Sequence, residues 1–540
     1  MSDAESESET PSTPRTGHST VHTSPYKPTV SDTDTHNAEL RTAKQIQQSC
    51  GRDMSGHWVG AIDPQVFMDS FMKTKKIAPK RLSRVSFLSM PTKPVHEQDM
   101  YDPFVDIINN CVFSKGSPYR LVKSSASSRV FNGIKLAPDV SMLRITSSNG
   151  GQAVWGWITM EMWIEFKRLI NQDPHRHDYE NLQAFLERIS AEELEETRGQ
   201  LASYAAAQFS HQHRTFIFSL LICGENARFI CWDRGAAMVS KHFNYRHHPI
   251  ILAEFFWRYA QLDGPGRGHD PTVREASPQQ QLRLAAEVKA YRDNNGHNPL
   301  TLLNISSSKY RCYSIQVEGS DGESYEYLVQ RPFFEPQSAI GRSSRLYVAL
   351  NVKSGILELL KDYWRTGDSD DGARPSEATV NNELRDAKVP YLPHIRMAGC
   401  DISRWQYSAH AITDLGWTTR YVLFRGGEGT STSSCRITEA IGNACQTVIL
   451  ARKADWMHRD VSVETLMLDK DGRGVLGGWD VCVKVIPGRT PAHSRPGTWQ
   501  FVSVRLAENP TLPHTLLDDL ESCYWVLLYI AIHHFSSDAQ

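Results

Sequence analysis

Hydrophobic and polar positions divide the chain into a polar leader and two blocks with regular periodicity. Residues 1 to 50 hold Ser, Thr, Pro and acidic residues with few bulky apolar side chains. Such a segment buries too little surface to offset the entropy of ordering and is predicted to be disordered. The first block, residues 51–273, shows helical spacing over Tyr179–Ile189 and Ala191–Phe209. It also holds apolar strand runs over Phe216–Cys223 and Ala227–Trp232. The string GPGRGHDP from Gly264 punctuates its end, and a polar helical connector over Gln279–Asp293 lies within residues 274–299.

The second block, residues 300–540, begins with strand signals. Leu346–Leu350 and Ile356–Leu360 predict paired strands across an Asn351–Gly355 turn, with Lys361 ending the second strand. Helical spacing follows over Glu377–Ala387 and Arg436–Lys453. A short hairpin joins Leu466–Leu468 to Val475–Leu476, and an apolar helix starts at Asp518. No internal repeat is evident.

Composition narrows the class. A chain of 540 residues with 40% hydrophobic and 10% aromatic content predicts two or three domains with real cores. A net charge of −2 supplies no general attraction to nucleic acid or a membrane surface. The 10 cysteines include no C-x-x-C pair, which fits a reducing interior. The start of the chain lacks the apolar core of a signal peptide, and Cys523–Ile532 reaches only about half a bilayer span. The expectation is an intracellular protein, cytoplasmic or nuclear, with no membrane partner and no nucleic-acid partner.

The chemistry concentrates at His458-Arg459-Asp460-Val461-Ser462-Val463-Glu464-Thr465. It follows the catalytic-loop pattern H-R-D-x-x-x-x-N, in which the Asp accepts a hydroxyl proton and the Asn holds magnesium. Upstream lie a Gly-containing turn, Gly341-Arg342-Ser343-Ser344, and Lys361 on a strand, placed to grip nucleotide phosphates. A carboxylate from the following helix, Glu377 or alternatively Glu383, would orient that lysine. Downstream come Gly497-Thr498 and the Asp518-Asp519-Leu520-Glu521-Ser522 helix start.

The strings GRSSRLYVAL, LLKDYWR, HRDVS, GTWQFVSV and DDLESCYWVLLYI together resemble the fungal-type protein kinase family over roughly residues 60 to 540. The resemblance implies an α+β, bilobal protein-kinase-like fold preceded by a mixed α/β domain. It implies ATP and Mg2+ as cofactors and a protein hydroxyl, Ser or Thr, as acceptor. Carried over residue by residue, Lys361 and Gly341 would contact the nucleotide, Glu377 would position Lys361, and Asp460 would be the base. Arg459 would bind an acidic or phosphorylated activation segment, where Thr490 and Ser494 are candidate phosphosites, and Asp519 would brace the catalytic loop. Ser462 stands where many other Ser/Thr kinases have lysine, as is usual in this family.

Three departures bear on activity. Thr465 stands where the family has Asn. Gly478-Trp479-Asp480 stands where the family reads Asp-Trp-Asp, so the first carboxylate is lost. A two-residue shift along extended chain moves a side chain by about 6–7 Å, which leaves Asp480 and Thr465 as weak metal candidates. The sequence given also stops at Gln540, soon after the last helix, so an incomplete C-terminal lobe is expected. The resulting expectation is a Ser/Thr kinase-like protein with impaired phosphoryl transfer. The alternative is a pseudokinase scaffold that holds nucleotide without metal.

The first block carries a separate signal. Pro138-Asp139 followed by Glu165-Phe166-Lys167 matches the P-D…E-x-K pattern of restriction-endonuclease-like folds. Strand alternation over Thr159–Lys167 would place Glu161, Trp163, Glu165 and Lys167 on one face, with Gln200 and Tyr204 on the next helix. Asp139 and Glu165 would hold magnesium and Lys167 a water, giving a nuclease-like domain as a lesser alternative. Arg214, Arg228, Arg234 and His211 are the basic residues available to a nucleic-acid backbone.

Overall fold

The computed structural model describes residues 43–534 except 132–133, 146–154, 176–190, 296–310, 320–321, 331, 333–337, 366–375, 403–406, 415–433, 469–472, 487–497 and 510. The expected helix over Tyr179–Ile189, Gly497, and the candidate phosphosites Thr490 and Ser494 lie outside the described residues.

Apolar runs of five to eight residues make the first block a strand-rich unit. Its strands are β1 (Trp58–Ile62), β2 (Tyr119–Lys123), β3 (Arg129–Phe131), β4 (Ile134–Leu136), β5 (Val140–Arg144) and β6 (Met160–Lys167). They continue with β7 (Ile217–Cys223), β8 (Asn226–Trp232), β9 (Ala237–Ser240) and β10 (Phe243–Asn244). The main sheet runs β1-β9-β8-β7-β6-β5-β2, with β10 on β8, while β3 and β4 pair separately. Every residue of β7 and β8 is buried. Such runs are stable only with both faces covered, and helices supply the cover. The helix Ala191–His211 shares a core with Trp163 and Trp232 on one face. The helix Pro249–Gln261 shares another with Phe104 and Phe218 on the opposite face.

The folded part starts before the expected boundary at residue 51. The helix Ala43–Asp53 lies against Ala191–His211, and Ile46 and Cys50 enter the core beneath it. The crossing is close enough that a Cβ on Gly199 would sit 2.3 Å from the carbonyl oxygen of Gln47. Because that neighbour is backbone, Gly199→Ala is expected to cost about 1–3 kcal/mol, the usual penalty of overpacking. A denaturant titration against the parent protein measures it.

Strand β6 departs from plain alternation. Met142 pairs with Met162 but Leu143 pairs with Met160, leaving Glu161 as the extra residue of a bulge. Met160 and Trp163 therefore share one core, whereas Glu161 bonds Tyr259, which belongs to the other. Glu161 is not on the face of Glu165 and Lys167.

The second block opens on a seven-stranded antiparallel sheet. Its strands are β11 (Val273–Glu275), β12 (Tyr313–Glu318), β13 (Ser324–Val329), β14 (Arg345–Asn351), β15 (Leu357–Arg365), β16 (Ile395–Ile402) and β17 (Tyr407–Asp414). The order is β11-β12-β13-β14-β15-β17-β16. Lys361 lies in the middle of β15 rather than at its end, because β15 keeps pairing with β17 as far as Arg365↔Tyr407. Below the sheet, the helices Ser434–Lys453 and Leu516–His534 pack around Trp479 and the catalytic-loop residues Val461 and Val463. The hairpin of β19 (Leu466–Leu468) and β20 (Gly474–Leu476) and the short pair β18 (Trp456–Met457) with β21 (Val483–Lys484) complete this layer. No helix among the described residues is long and apolar enough to cross a membrane.

The two blocks are joined by more than the connector helix Pro278–Asn295. Ala339 and Ile340 enter the core beneath the helix Ala191–His211. The amide of Gly341 donates to the carbonyl of Arg234 at 2.8 Å. Arg345 donates to the carbonyls of Phe209 and Gln212. The Gly-containing turn is thus seated on the first block.

Candidate active site

Three elements converge on Lys361. The strand β15 aims its Nζ at Glu377 Oε2, 2.6 Å away, at the start of the helix Glu377–Asp386. That helix begins there because the Ser376 hydroxyl accepts the Thr379 amide. The same ammonium lies 2.9 Å from Asp480 Oδ1 and 5.0 Å from the centre of the Tyr363 ring. Of the two candidate carboxylates, Glu377 meets Lys361. Glu383 instead pairs with Lys484 at 2.8 Å.

Asp480 reaches the site because the chain turns back on itself. Gly478 has φ +81°, a left-handed conformation available to glycine at little cost. The amides of Gly478 and Trp479 then donate to Glu377 Oε1 at 2.8 and 3.1 Å. Trp479 goes into the core, its indole N–H bonding the Leu476 carbonyl at 2.8 Å. The following residue, Asp480, faces Lys361. The displacement expected for extended chain does not apply to a chain folded in this way.

The catalytic loop is braced from below. Asp519 accepts the amides of His458 and Arg459 at 3.1 and 2.9 Å and also contacts His514 at 2.8 Å. His458 Nε2 donates to the Gly477 carbonyl at 2.8 Å, while its Nδ1 accepts the Asp460 amide at 3.2 Å. Those two partners fix one tautomer, with the hydrogen on Nε2. Arg459 is buried with φ +73°. The segment it would recognise, residues 487–497, lies outside the described residues.

Asp460 holds its carboxylate in place with both oxygens. Oδ1 accepts the amide and hydroxyl of Thr498 at 2.9 and 3.0 Å. Oδ2 faces Arg342 Nη2 at 3.2 Å, and the same guanidinium bonds Asp480 through Nη1. In the sequence Arg342 is marked only as part of the turn after Gly341. Its role depends on a contact across 118 residues that no local pattern signals.

Charge balance at this centre is tight. Burial pushes the Asp480 carboxyl up, but Arg342 and Lys361 outweigh it and hold it well below the ordinary range. Burial likewise works against the charge on Lys361, yet Asp480 and Glu377 raise it and keep the ammonium protonated. A carboxyl depressed on folding contributes stability above its unfolded value, near 4, and loses it as the pH falls toward the folded one. Asp518, held down to about 2 against burial by bonds from Arg505, Ser503 and Thr515, acts in the same window. Stability is therefore expected to fall between about pH 4 and pH 2, and less steeply in Asp518→Asn. Thermal melts across that range measure it.

Thr465 is not placed to hold a metal ion. Its hydroxyl accepts the Ser462 amide at 2.9 Å and reaches the carbonyls of Asp460 and Ser462 at 3.0 and 3.1 Å. It ties the loop to itself. Among the described residues no group of three or more His, Cys, Asp or Glu is arranged to hold a metal ion. Of the carboxylates gathered here, Asp480 is the one that faces both Lys361 and Arg342, and magnesium favours carboxylate and phosphate oxygens and keeps several waters.

A sequence profile described as fungal protein kinase matches residues 164–397 and 430–531. The chain belongs to the fungal protein kinase family. Among solved structures it is similar to one titled structure of vaccinia related kinase 3, at 14% identity and a TM-score of 0.28. That alignment covers 39% of this chain and 67% of the other. No curated protein matches the chain. In this fungal kinase family member, the bilobal kinase-like part comprises the antiparallel sheet and the helical layer beneath it. The profile also extends into the first block, through β6 to β10.

The arginines considered for a nucleic-acid surface in the first block are used internally. Arg214 pairs with Glu161 at 3.2 Å, and Arg228 with Asp173 at 2.6 Å. Arg234 stacks on Phe209 at 3.8 Å. All three are buried, and His211 bonds its own helix at the Ala207 carbonyl. They present no cationic track to a phosphate backbone. Asp139, Glu165 and Lys167 do come together, beside Gln200 and Tyr204.

Proposed function

We propose that the protein binds ATP between its two kinase lobes and transfers the terminal phosphoryl group slowly to a Ser or Thr hydroxyl of a protein substrate. The observation that carries this reading is the position of Asp480. A carboxylate 2.9 Å from Lys361, and linked to Asp460 through one guanidinium, supports this reading because it lies beside the lysine that would meet nucleotide phosphates.

Each residue then has a physical task. Lys361, kept protonated by Glu377 and Asp480, neutralises phosphate oxygens. Asp480, with the phosphates themselves, would hold magnesium, which supplies the charge neutralisation that phosphoryl transfer needs. Asp460, held by Thr498, takes the proton of the attacking hydroxyl. Asp519 keeps the loop backbone in register beneath it. With Thr465 bonded into the loop, a second metal position has no side-chain ligand, which accounts for slow transfer.

Arg342 favours a second reading. It spans Asp460 and Asp480 and supplies positive charge where a metal would sit, so nucleotide binding without magnesium, as in a pseudokinase scaffold, is the alternative. Phosphate transfer from labelled ATP separates the two. Magnesium-dependent transfer that Asp460→Asn lowers at least about 100-fold supports the kinase. ATP binding indifferent to magnesium, with no transfer by the parent protein, supports the scaffold.

A further inference from the structure

The group around Glu165 in the first block takes no part in the kinase site. Asp139 sits just ahead of β5, and Glu165 and Lys167 lie two residues apart on β6. Asp139 Oδ1 accepts the Tyr101 hydroxyl at 2.6 Å, and its Oδ2 accepts the Phe166 amide at 2.8 Å. Glu165 Oε1 faces Lys167 Nζ at 2.6 Å. The ammonium also donates to Gln200 Oε1 at 3.1 Å. Gln200 in turn donates to the Tyr204 hydroxyl at 2.9 Å, and Tyr204 donates to the Ala137 carbonyl at 3.0 Å.

Glu165 Oε2 stands apart from this network. It is buried, with the residue 1% exposed, and no hydrogen-bond donor reaches it. A buried carboxylate oxygen left in that state is costly unless a cation or a proton meets it. Charge counting points the same way. Glu97, whose carboxylate oxygen lies 3.2 Å from the Tyr101 hydroxyl, joins Asp139 and Glu165 against the single ammonium of Lys167. Three carboxyl groups thus face one ammonium.

The fold presents these groups at one sheet end. β2, β5 and β6 form an antiparallel meander, the helix Ala191–His211 crosses over, and β7 returns parallel to β6. Glu97 and Lys167, the more exposed members of the cluster, form its edge toward solvent.

We propose that Asp139 and Glu165 bind one hard divalent cation, magnesium or manganese, and that Lys167 stands beside it to receive a phosphodiester, making the first block a metal-dependent phosphodiesterase centre. Two carboxylates, with water and a phosphate oxygen, suffice for such an ion. The ammonium cannot serve as base while Glu165 keeps it protonated. It donates to the attacking water or to a phosphate oxygen. In the reaction, a water oxygen bonds to phosphorus as the bond from phosphorus to the leaving alkoxy oxygen breaks. One water proton ends on that oxygen, and the other passes to solvent as the new monoester ionises.

The test uses the full chain without nucleotide, with Mn2+ as probe read by electron paramagnetic resonance. Asp139→Asn and Glu165→Gln are each expected to weaken Mn2+ binding at least about tenfold. Lys167→Met, with both carboxylates intact, is expected to keep Mn2+ yet lower manganese-dependent hydrolysis of bis(p-nitrophenyl) phosphate at least about 100-fold. Thermal melts check that each variant is folded. Cleavage of single- or double-stranded DNA in parallel arms would identify a nucleic-acid strand as the diester, and cleavage of the small diester alone a low-molecular-weight one. Mn2+ binding insensitive to Asp139→Asn and Glu165→Gln overturns the site. Mn2+ bound there with no hydrolysis of any of these diesters overturns the catalytic assignment.

Discussion

Gly478→Asp, which restores the family's residue, is expected to destabilise the protein by about 2–5 kcal/mol and to recover no activity. Two independent costs add. With φ at +81°, any residue bearing a Cβ is strained at this position. A Cβ there would also lie 2.4 Å from Cγ2 and 3.1 Å from Cβ of Thr465. The two departures from the family pattern are therefore one packed unit, since the threonine methyl occupies space that the missing side chain vacates. Thr465→Ser removes that methyl and keeps the hydroxyl that bonds the Ser462 amide. Combined with Gly478→Ala it should recover the steric part of the loss and leave the backbone part. A double-mutant cycle by denaturant titration is expected to give a coupling of about 1–3 kcal/mol. Additive losses would show that the loop rearranges and that the two positions are independent.

That coupling illustrates which features a sequence exposes. The loop His458–Thr465, the lysine at 361 and the helix opening at Asp518 are short strings whose roles follow from local chemistry, and they assemble around one centre. The direction of Asp480 was not legible. It depends on the sign of one φ angle, and a Gly-Gly pair permits either sign. The sequence leaves Lys361 at a strand end because the apolar run stops at Leu360, whereas pairing with β17 holds β15 in extended form to Arg365. The bulge at Glu161 was hidden for a similar reason, since one extra residue changes the face without altering composition. The partners of the first block's buried arginines are hidden in the sequence by distance. Glu161 and Asp173, which neutralise Arg214 and Arg228, lie 53 and 55 residues away in sequence.

The same long-range logic gives Asp480 and Arg342 opposite expected effects. Asp480→Asn removes the carboxylate that would face nucleotide-bound magnesium, and phosphate transfer is expected to fall about 100- to 1,000-fold. The fold should survive, because Lys361 keeps Glu377 at 2.6 Å and Arg342 keeps Asp460 at 3.2 Å. Arg342→Ala does the reverse: it frees Asp480 and Asp460 from a competing cation and should raise both magnesium-dependent ATP affinity and the rate of transfer. Steady-state transfer and ATP titrations with and without magnesium measure both variants. If Arg342 instead replaces the metal, Arg342→Ala will weaken ATP binding in the absence of magnesium and leave transfer undetectable. The sign of the Arg342 effect thus decides whether the guanidinium obstructs a metal site or substitutes for one. Loss of transfer in Asp480→Asn, joined to a gain in Arg342→Ala, would identify Asp480 as the carboxylate that carries the metal's role.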